Sequence, residues 1–151
     1  MRHVLPRDQA RRVVSVIGDS TFVHSGISGL VEMVYNPPPN GHVLIILDNA
    51  TTAMTGHQEH PGTGRSLNHE PANKLVLEDL ARAVGVKRVH VVEPRAGSED
   101  FDRVLTECLN SNELAVIIAR RPCILIAKEL KQYAQRDQSC DQKGTHVEQD
   151  Y

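Results

Sequence analysis

The chain is predicted to adopt an α/β fold, an open and mostly parallel sheet flanked by helices, and three patterns in the sequence point to it. Short apolar runs rich in β-branched residues alternate with segments of helical periodicity. Within each run the apolar residues are consecutive rather than alternating, as expected of parallel strands covered on both faces. The runs and periodic segments are separated by Gly, Pro and Asn, the residues that turn a chain.

Taken in order, Val13, Val14, Val16 and Ile17 form the first strand. Ile27, Leu30, Val31 and Val34 then recur at i, i+3, i+4 and i+7, which predicts a helix beginning near Ser25 and Gly26. That helix ends at Tyr35-Asn36, because Pro37, Pro38 and Pro39 cannot continue it. Asn40-Gly41 turns the chain into a second strand, Val43 to Leu47. A strand, a helix and a strand of this length make a right-handed crossover with the strands parallel. The polar residues after each strand therefore meet at the carboxyl edge of the sheet, where open α/β sheets bind ligands.

Downstream, Leu77, Leu80, Ala81 and Val84 predict a second helix closed by Gly85, and Val89, Val91 and Val92 a strand ended by Pro94. Ser98 reads as an N-cap, with Glu99 and Asp100 in the first turn and Phe101, Val104, Leu105 and Cys108 on the apolar face. Leu114, Val116, Ile117 and Ile118 form the last strand. Residues 1–126 read as a partial domain, and 127–151 as a polar tail with little to bury, partly disordered.

The composition excludes several classes. With 17 basic and 19 acidic residues and 3% aromatics, the chain carries no footprint for nucleic acid. No apolar run approaches the roughly 20 residues that span a bilayer, and the start lacks an apolar signal core, so a cytoplasmic protein is expected. Cys108, Cys123 and Cys140 are too scattered for a disulfide framework. Cys108 reads as packing. Cys123 follows Arg120-Arg121-Pro122, where guanidinium groups would lower a thiol pKa, although a redox or catalytic role is not the preferred reading; the two arginines offer an anion or partner contact but read more plainly as a solvated edge. His57 and His60 flank Glu59 at an acceptable zinc spacing, but no third ligand is near, and shaping the loop is the preferred reading.

Two polar clusters carry the chemistry: Gly18-Asp19-Ser20, and the loop from Asp48 to Gln58 about thirty residues later. Asp19 offers a hard anionic oxygen, Asn49 a neutral amide oxygen, and the backbone near Thr51 a third. That set suits an octahedral magnesium whose shell is completed by phosphate oxygens and water. The helix start near Ser25-Gly26 would present free N–H groups to a diphosphate. An isolated Asp and Asn at strand ends more often make turns and caps; their spacing across a crossover favours the site.

The stretch from Val16 through Gly64, with VIGDSTFVHSG, LIILDNATTAMTGHQ and HPGTG, resembles the thiamine diphosphate-binding domain of the indolepyruvate ferredoxin oxidoreductase large (alpha) subunit. The resemblance continues through LARAVGVKRVHVVEP to VIIARRPC, ending near Cys123. The generic thiamine motif is Gly-Asp-Gly followed by Asn-Asn; here Ser20 replaces the last Gly and Asp48 the first Asn, variations that resemble the indolepyruvate branch. The resemblance implies magnesium bound by Asp19, the Asn49 side chain and the Thr51 backbone oxygen, with Gly18, Ser20 and Thr21 lining the diphosphate. It also implies oxidative decarboxylation of an arylpyruvate, with electrons passing to iron-sulfur clusters and ferredoxin and the acyl group to coenzyme A. His24 and the Thr55 to His60 loop would face cofactor or substrate, with no catalytic step assigned to any residue.

The family's subunit is several times longer, with a pyrimidine-binding domain upstream. The expectation is therefore a truncated domain lacking its first strands, inactive alone and dependent on a partner chain for the rest. Where family members carry cluster-binding cysteines, Cys140 is followed by Lys143 and His146, so no iron-sulfur cluster is expected in this chain. The alternatives are a noncatalytic remnant or association domain, and another thiamine diphosphate-dependent decarboxylase or synthase, against which the Thr51 to Gln58 loop argues. An incomplete sheet leaves an open edge, which predicts self-association.

Overall fold

The computed structural model describes residues 11–53, 56–126, 128 and 131–133. Four strands, β1 (Val13–Gly18), β2 (His42–Asp48), β3 (Arg88–Val92) and β4 (Leu114–Arg120), form one sheet in the order β1-β2-β4-β3. Every pairing is parallel. The expected α/β architecture is present, with its crossovers made by helices.

The first crossover is continuous helix: α1 (Asp19–Thr21), a π-helical stretch (Phe22–Gly26) and α2 (Ile27–Tyr35). The predicted start near Ser25-Gly26 is therefore corrected. The helix begins at Asp19, directly after an extended Gly18 (φ −75°, ψ 153°). Small, weak helix formers at Ser25 and Gly26 mimic a boundary in sequence, yet here they sit inside a π turn, an irregularity that often marks functional sites. The C-terminus behaves as read: Asn36 leaves helical geometry and the three prolines follow. The other helices are α3 (Leu77–Ala83) and α4 (Asp100–Asn110), the latter preceded by Ser98, whose Oγ accepts the Asp100 N–H at 3.4 Å.

The sheet has a core on each face. On one, Phe22, Leu30, Leu77 and Ala81 pack against Leu44, Ile46, Val116 and Ile118. On the other, Val104 and Cys108 of α4 pack against Val43, Ile45, Ala115 and Ile117. Alternate residues of β2 and β4 thus feed opposite cores, and their uninterrupted apolar runs follow from that. Cys108 is 1% exposed and serves packing, with burial holding its thiol pKa up.

β1 departs from the expectation of cover on both faces. Val14 and Val16 are in register with Val43 and Ile45, on the α4 side, yet remain 45% and 61% exposed. The reason is geometric: α4 packs over β2, β3 and β4, and β1 lies one strand beyond. Among the described residues no strand pairs with the outer edge of β1, and that edge beside exposed valines is a template for association. Light scattering on the purified chain is therefore expected to report a self-associated species; a monodisperse, cooperatively melting monomer counts against this.

The Asn40-Gly41 turn is under a tight constraint. Gly41 has φ +76°, and a Cβ there would lie 2.8 Å from the Glu113 carbonyl oxygen. Gly41→Ala is expected to destabilise the chain by about 2 kcal/mol or more, from a left-handed backbone plus a clash with main chain that cannot rotate away. Chemical denaturation of the two proteins measures it, and an unchanged midpoint overturns it.

The polar-tail expectation for residues 127–151, and the positions Cys140, Lys143 and His146, fall largely or wholly outside the described residues. Of that region, Tyr133 is described: Arg65 lies 4.3 Å over its ring, and His69 stacks on it at 5.8 Å.

Candidate functional site at the carboxyl edge of the sheet

The carboxyl ends of β1 and β2 are adjacent, with Gly18 in register with Leu47. Asp19 thus leaves the sheet beside Asn49, and its side chain closes the gap between them. Although a carboxylate, Asp19 is only 2% exposed. Its Oδ2 accepts the Asn49 N–H at 3.1 Å and the Ala50 N–H at 3.0 Å, and its Oδ1 accepts the Ser20 N–H at 2.7 Å. Burial works against the charge, but the His60 ring close by and the amides of Ser20 and Ala50 outweigh it and hold the carboxyl below its ordinary pKa. Asp19 is therefore an anion at neutral pH, fixed between the two clusters.

The second cluster is ordered around Asn49. Its Oδ1 accepts the Thr51 N–H at 3.1 Å, a local turn that sets the direction of the side-chain amide and retains acceptor capacity on that oxygen. Thr51 is buried, and Ala50 takes a left-handed φ of 60°. Thr52 bonds through its backbone to Gln58 and His57, closing the loop. The Thr52 hydroxyl donates to the Ser20 hydroxyl at 3.0 Å, so Ser20, where the generic motif has Gly, joins the two clusters.

Gly18, Asp19, Ser20, Asn49 and Thr51 are thus gathered at one edge, with Thr21 one residue further along the helix and exposed. At Gly18 the backbone needs no glycine, and a Cβ would meet nothing within 4 Å. The fold leaves open space there, of the kind a ligand's close approach uses. His24 lies on the exposed π turn, five positions beyond Asp19. Met54 and Thr55 of the loop lie outside the described residues.

Three contacts at this edge were not legible in the sequence. The first concerns Asp48. Its carboxylate does not join the Asp19 cluster; it accepts Arg120 Nε at 2.7 Å, at the matching end of β4. The same guanidinium donates to both oxygens of Glu78 at 3.1 and 2.6 Å. The second is a backbone staple: the carbonyls of Asp48 and Asn49 accept the N–H groups of Arg121 and Cys123, each at 2.9 Å. Cys123 thereby supports the Asn49 loop through its main chain. The third is His60, 4% exposed, with Nε2 3.4 Å from Asp19 Oδ2. All three join residues far apart in sequence, and the early signals for His60, its zinc-like spacing from His57 and its place in HPGTG, did not point to Asp19.

Residues 3–119 match the family described as thiamine pyrophosphate enzyme, C-terminal TPP binding domain. The chain belongs to this family. Among curated proteins this TPP-binding domain is similar to the indolepyruvate oxidoreductase subunit IorA of Archaeoglobus fulgidus, 46% identical over 115 residues, which are 76% of this chain and 18% of that one. It is also similar to IorA of Methanothermobacter marburgensis, 45% identical over 119 residues, 77% of this chain and again 18% of the relative. A more distant relative is the sulfopyruvate decarboxylase subunit beta of Methanocaldococcus jannaschii, 27% identical over 109 residues, 72% of this chain and 50% of that one. The chain thus spans under one fifth of the length of the IorA proteins it matches. No solved structure matches it. No described helix is long and apolar enough to cross a membrane.

Proposed function

We propose that this domain holds the diphosphate of thiamine diphosphate through a magnesium ion, as the cofactor-binding part of an indolepyruvate-type 2-oxoacid oxidoreductase. The observation that carries the reading is the bridge from Asp19 to the Asn49-Ala50 backbone, which unites the ends of β1 and β2 into one polar edge. The ligands would be an Asp19 carboxylate oxygen, Asn49 Oδ1 and the Thr51 backbone oxygen, with Gly18, Ser20 and Thr21 beside the diphosphate. This donor set fits the group: among the described residues Asp19 Oδ1 takes only the Ser20 amide and Asn49 Oδ1 only the Thr51 amide, so both oxygens keep acceptor capacity at one edge. A cation held here draws on one carboxylate, neutral oxygens and phosphate, the chemistry magnesium prefers.

Thiamine diphosphate, when bound, would supply the nucleophilic carbon and the electron sink that decarboxylation of a 2-oxoacid requires. The chain's own residues bind and orient it. Asp19 contributes charge already desolvated and hydrogen-bonded, and Asn49 an oxygen already turned by Thr51, so little ordering remains to be done on binding. The remaining machinery, including a pyrimidine-binding partner and a ferredoxin acceptor, belongs to other segments or chains in this reading.

The similarity to a sulfopyruvate decarboxylase subunit supports a second reading, a nonoxidative decarboxylase. Ferredoxin reduction dependent on an arylpyruvate, in the reconstituted complex, separates the two. Calorimetric titration of the chain with thiamine diphosphate, with and without magnesium, tests the binding itself. Magnesium-dependent uptake is expected; no uptake by the folded chain overturns the reading.

A further inference from the structure

The HPGTG segment is built around one buried ring. The His60 side chain is 1% exposed. Its Nδ1 accepts the Gly62 N–H at 3.2 Å, which leaves the ring proton of the neutral imidazole on Nε2. Among the described residues Nε2 makes no hydrogen bond and stands 3.4 Å from Asp19 Oδ2, its aim toward that oxygen falling short of a formed bond. A buried donor without a partner costs about 1–3 kcal/mol, so the aim of this one calls for a reason. Its length has one: Oδ2 already takes two amides, from Asn49 and Ala50, at 3.1 and 3.0 Å.

The segment fixes the ring from every side. The Thr63 N–H and hydroxyl both donate to the His60 carbonyl at 2.9 Å, and the Pro61 carbonyl accepts the Leu75 N–H at 2.8 Å. A Cβ on Gly62 would stand 3.0 Å from the ring's Cε1 and 3.2 Å from Nδ1, so glycine is what lets that amide reach the imidazole. Three donors therefore crowd Oδ2, while Oδ1 takes one, from the adjacent Ser20.

We propose that His60 is a positioning residue for the metal site: its Nε2–H, held by the Gly62 amide, pins Asp19 through Oδ2 and leaves Oδ1 as the oxygen that takes magnesium. This rests on the magnesium-diphosphate reading above. Partners of a metal-binding carboxylate orient it and raise affinity without touching the ion, and losing one typically weakens metal binding about 10–100-fold.

The test is calorimetric titration of magnesium, at saturating thiamine diphosphate, into the full chain, His60→Ala, His60→Gln and Gly62→Ala. His60→Ala is expected to raise the half-saturating magnesium concentration by about 10–100-fold. His60→Gln, which keeps an N–H at similar reach, recovers most of that. Gly62→Ala leaves His60 in place but displaces its ring, and shifts magnesium in the same direction. Equal magnesium dependence in all four proteins overturns the assignment. So does a loss in His60→Ala that appears only as a lower melting temperature, with metal affinity unchanged in the folded protein and no recovery in His60→Gln; His60 is then packing. No uptake by the unmodified chain removes the cofactor reading and this assignment with it, a result distinct from unmodified binding that the variants share.

Discussion

Asp19→Ala is expected to abolish magnesium-dependent uptake of thiamine diphosphate, with affinity falling by more than about 100-fold. The substitution removes the only carboxylate in the proposed ligand set. It also strands the Asn49 and Ala50 N–H groups, whose acceptor is Oδ2. Each hydrogen bond to a charged group is worth about 1.5–3 kcal/mol, so the loop carrying Asn49 loosens along with the charge. A factor of 100 in affinity corresponds to about 2.8 kcal/mol, well within what these losses supply. Calorimetry measures the affinity, and far-UV circular dichroism establishes that the sheet persists. Affinity within about threefold of the unmodified chain would show that the metal draws on other residues.

The second large effect belongs to Arg120, which touches no proposed ligand. Arg120→Ala leaves the carboxylates of Asp48 and Glu78 facing each other without their shared cation. Both are largely covered, at 11% and 17% side-chain exposure, although Arg120 itself is 36% exposed. Discounting for that solvent access, the expected loss is about 1–2 kcal/mol, which lowers the melting temperature by roughly 2–8 °C. The loss should depend on pH in a definite direction. Hydrogen bonding to Arg120, against a smaller effect of burial, holds the Glu78 pKa below its ordinary 4.5. A depressed carboxylate pKa contributes stability that is complete above the unfolded value and fades as pH falls through the folded one. The difference between unmodified chain and variant is therefore greatest near neutrality and shrinks below about pH 4.5. A difference constant from pH 7 to pH 3 would mean that the guanidinium acts by packing alone. The Asn49 loop is also stapled to the segment after β4, so a moderate fall in cofactor affinity is expected to accompany the loss.

These two residues divide along the line between what was legible in the sequence and what was not. Asp19 and Asn49 stood out because strand-forming runs place them at strand ends, and a crossover of that length brings parallel strand ends together. Their adjacency needed only secondary structure and handedness. Thr52 with Ser20 followed the same logic less visibly, since a hydroxyl pair has no pattern of its own. Arg120 and Asp48 lie 72 residues apart, and His60 and Asp19 lie 41 apart; such pairings depend on strand order and loop path. Two arginines after a strand read more naturally as a solvated edge, and His60 as a loop former.

Sequence by itself determined the elements and the class of fold. Uninterrupted β-branched runs can be satisfied only as strands between two cores, and apolar residues at helical spacing only as helices lying on them. The same local patterns determined that an acid and an amide leave the sheet at neighbouring strand ends. Tertiary structure alone decided where the first helix starts, because the π turn that takes in Ser25 and Gly26 seats Phe22 in the core, a contact with no local signature. It decided that β1 has one open face, since α4 packs over β2, β3 and β4. It also decided the roles of Asp48, Arg120 and His60. Buried charge and orphan donors take partners from wherever the fold delivers them, and that delivery has no local signature in the chain.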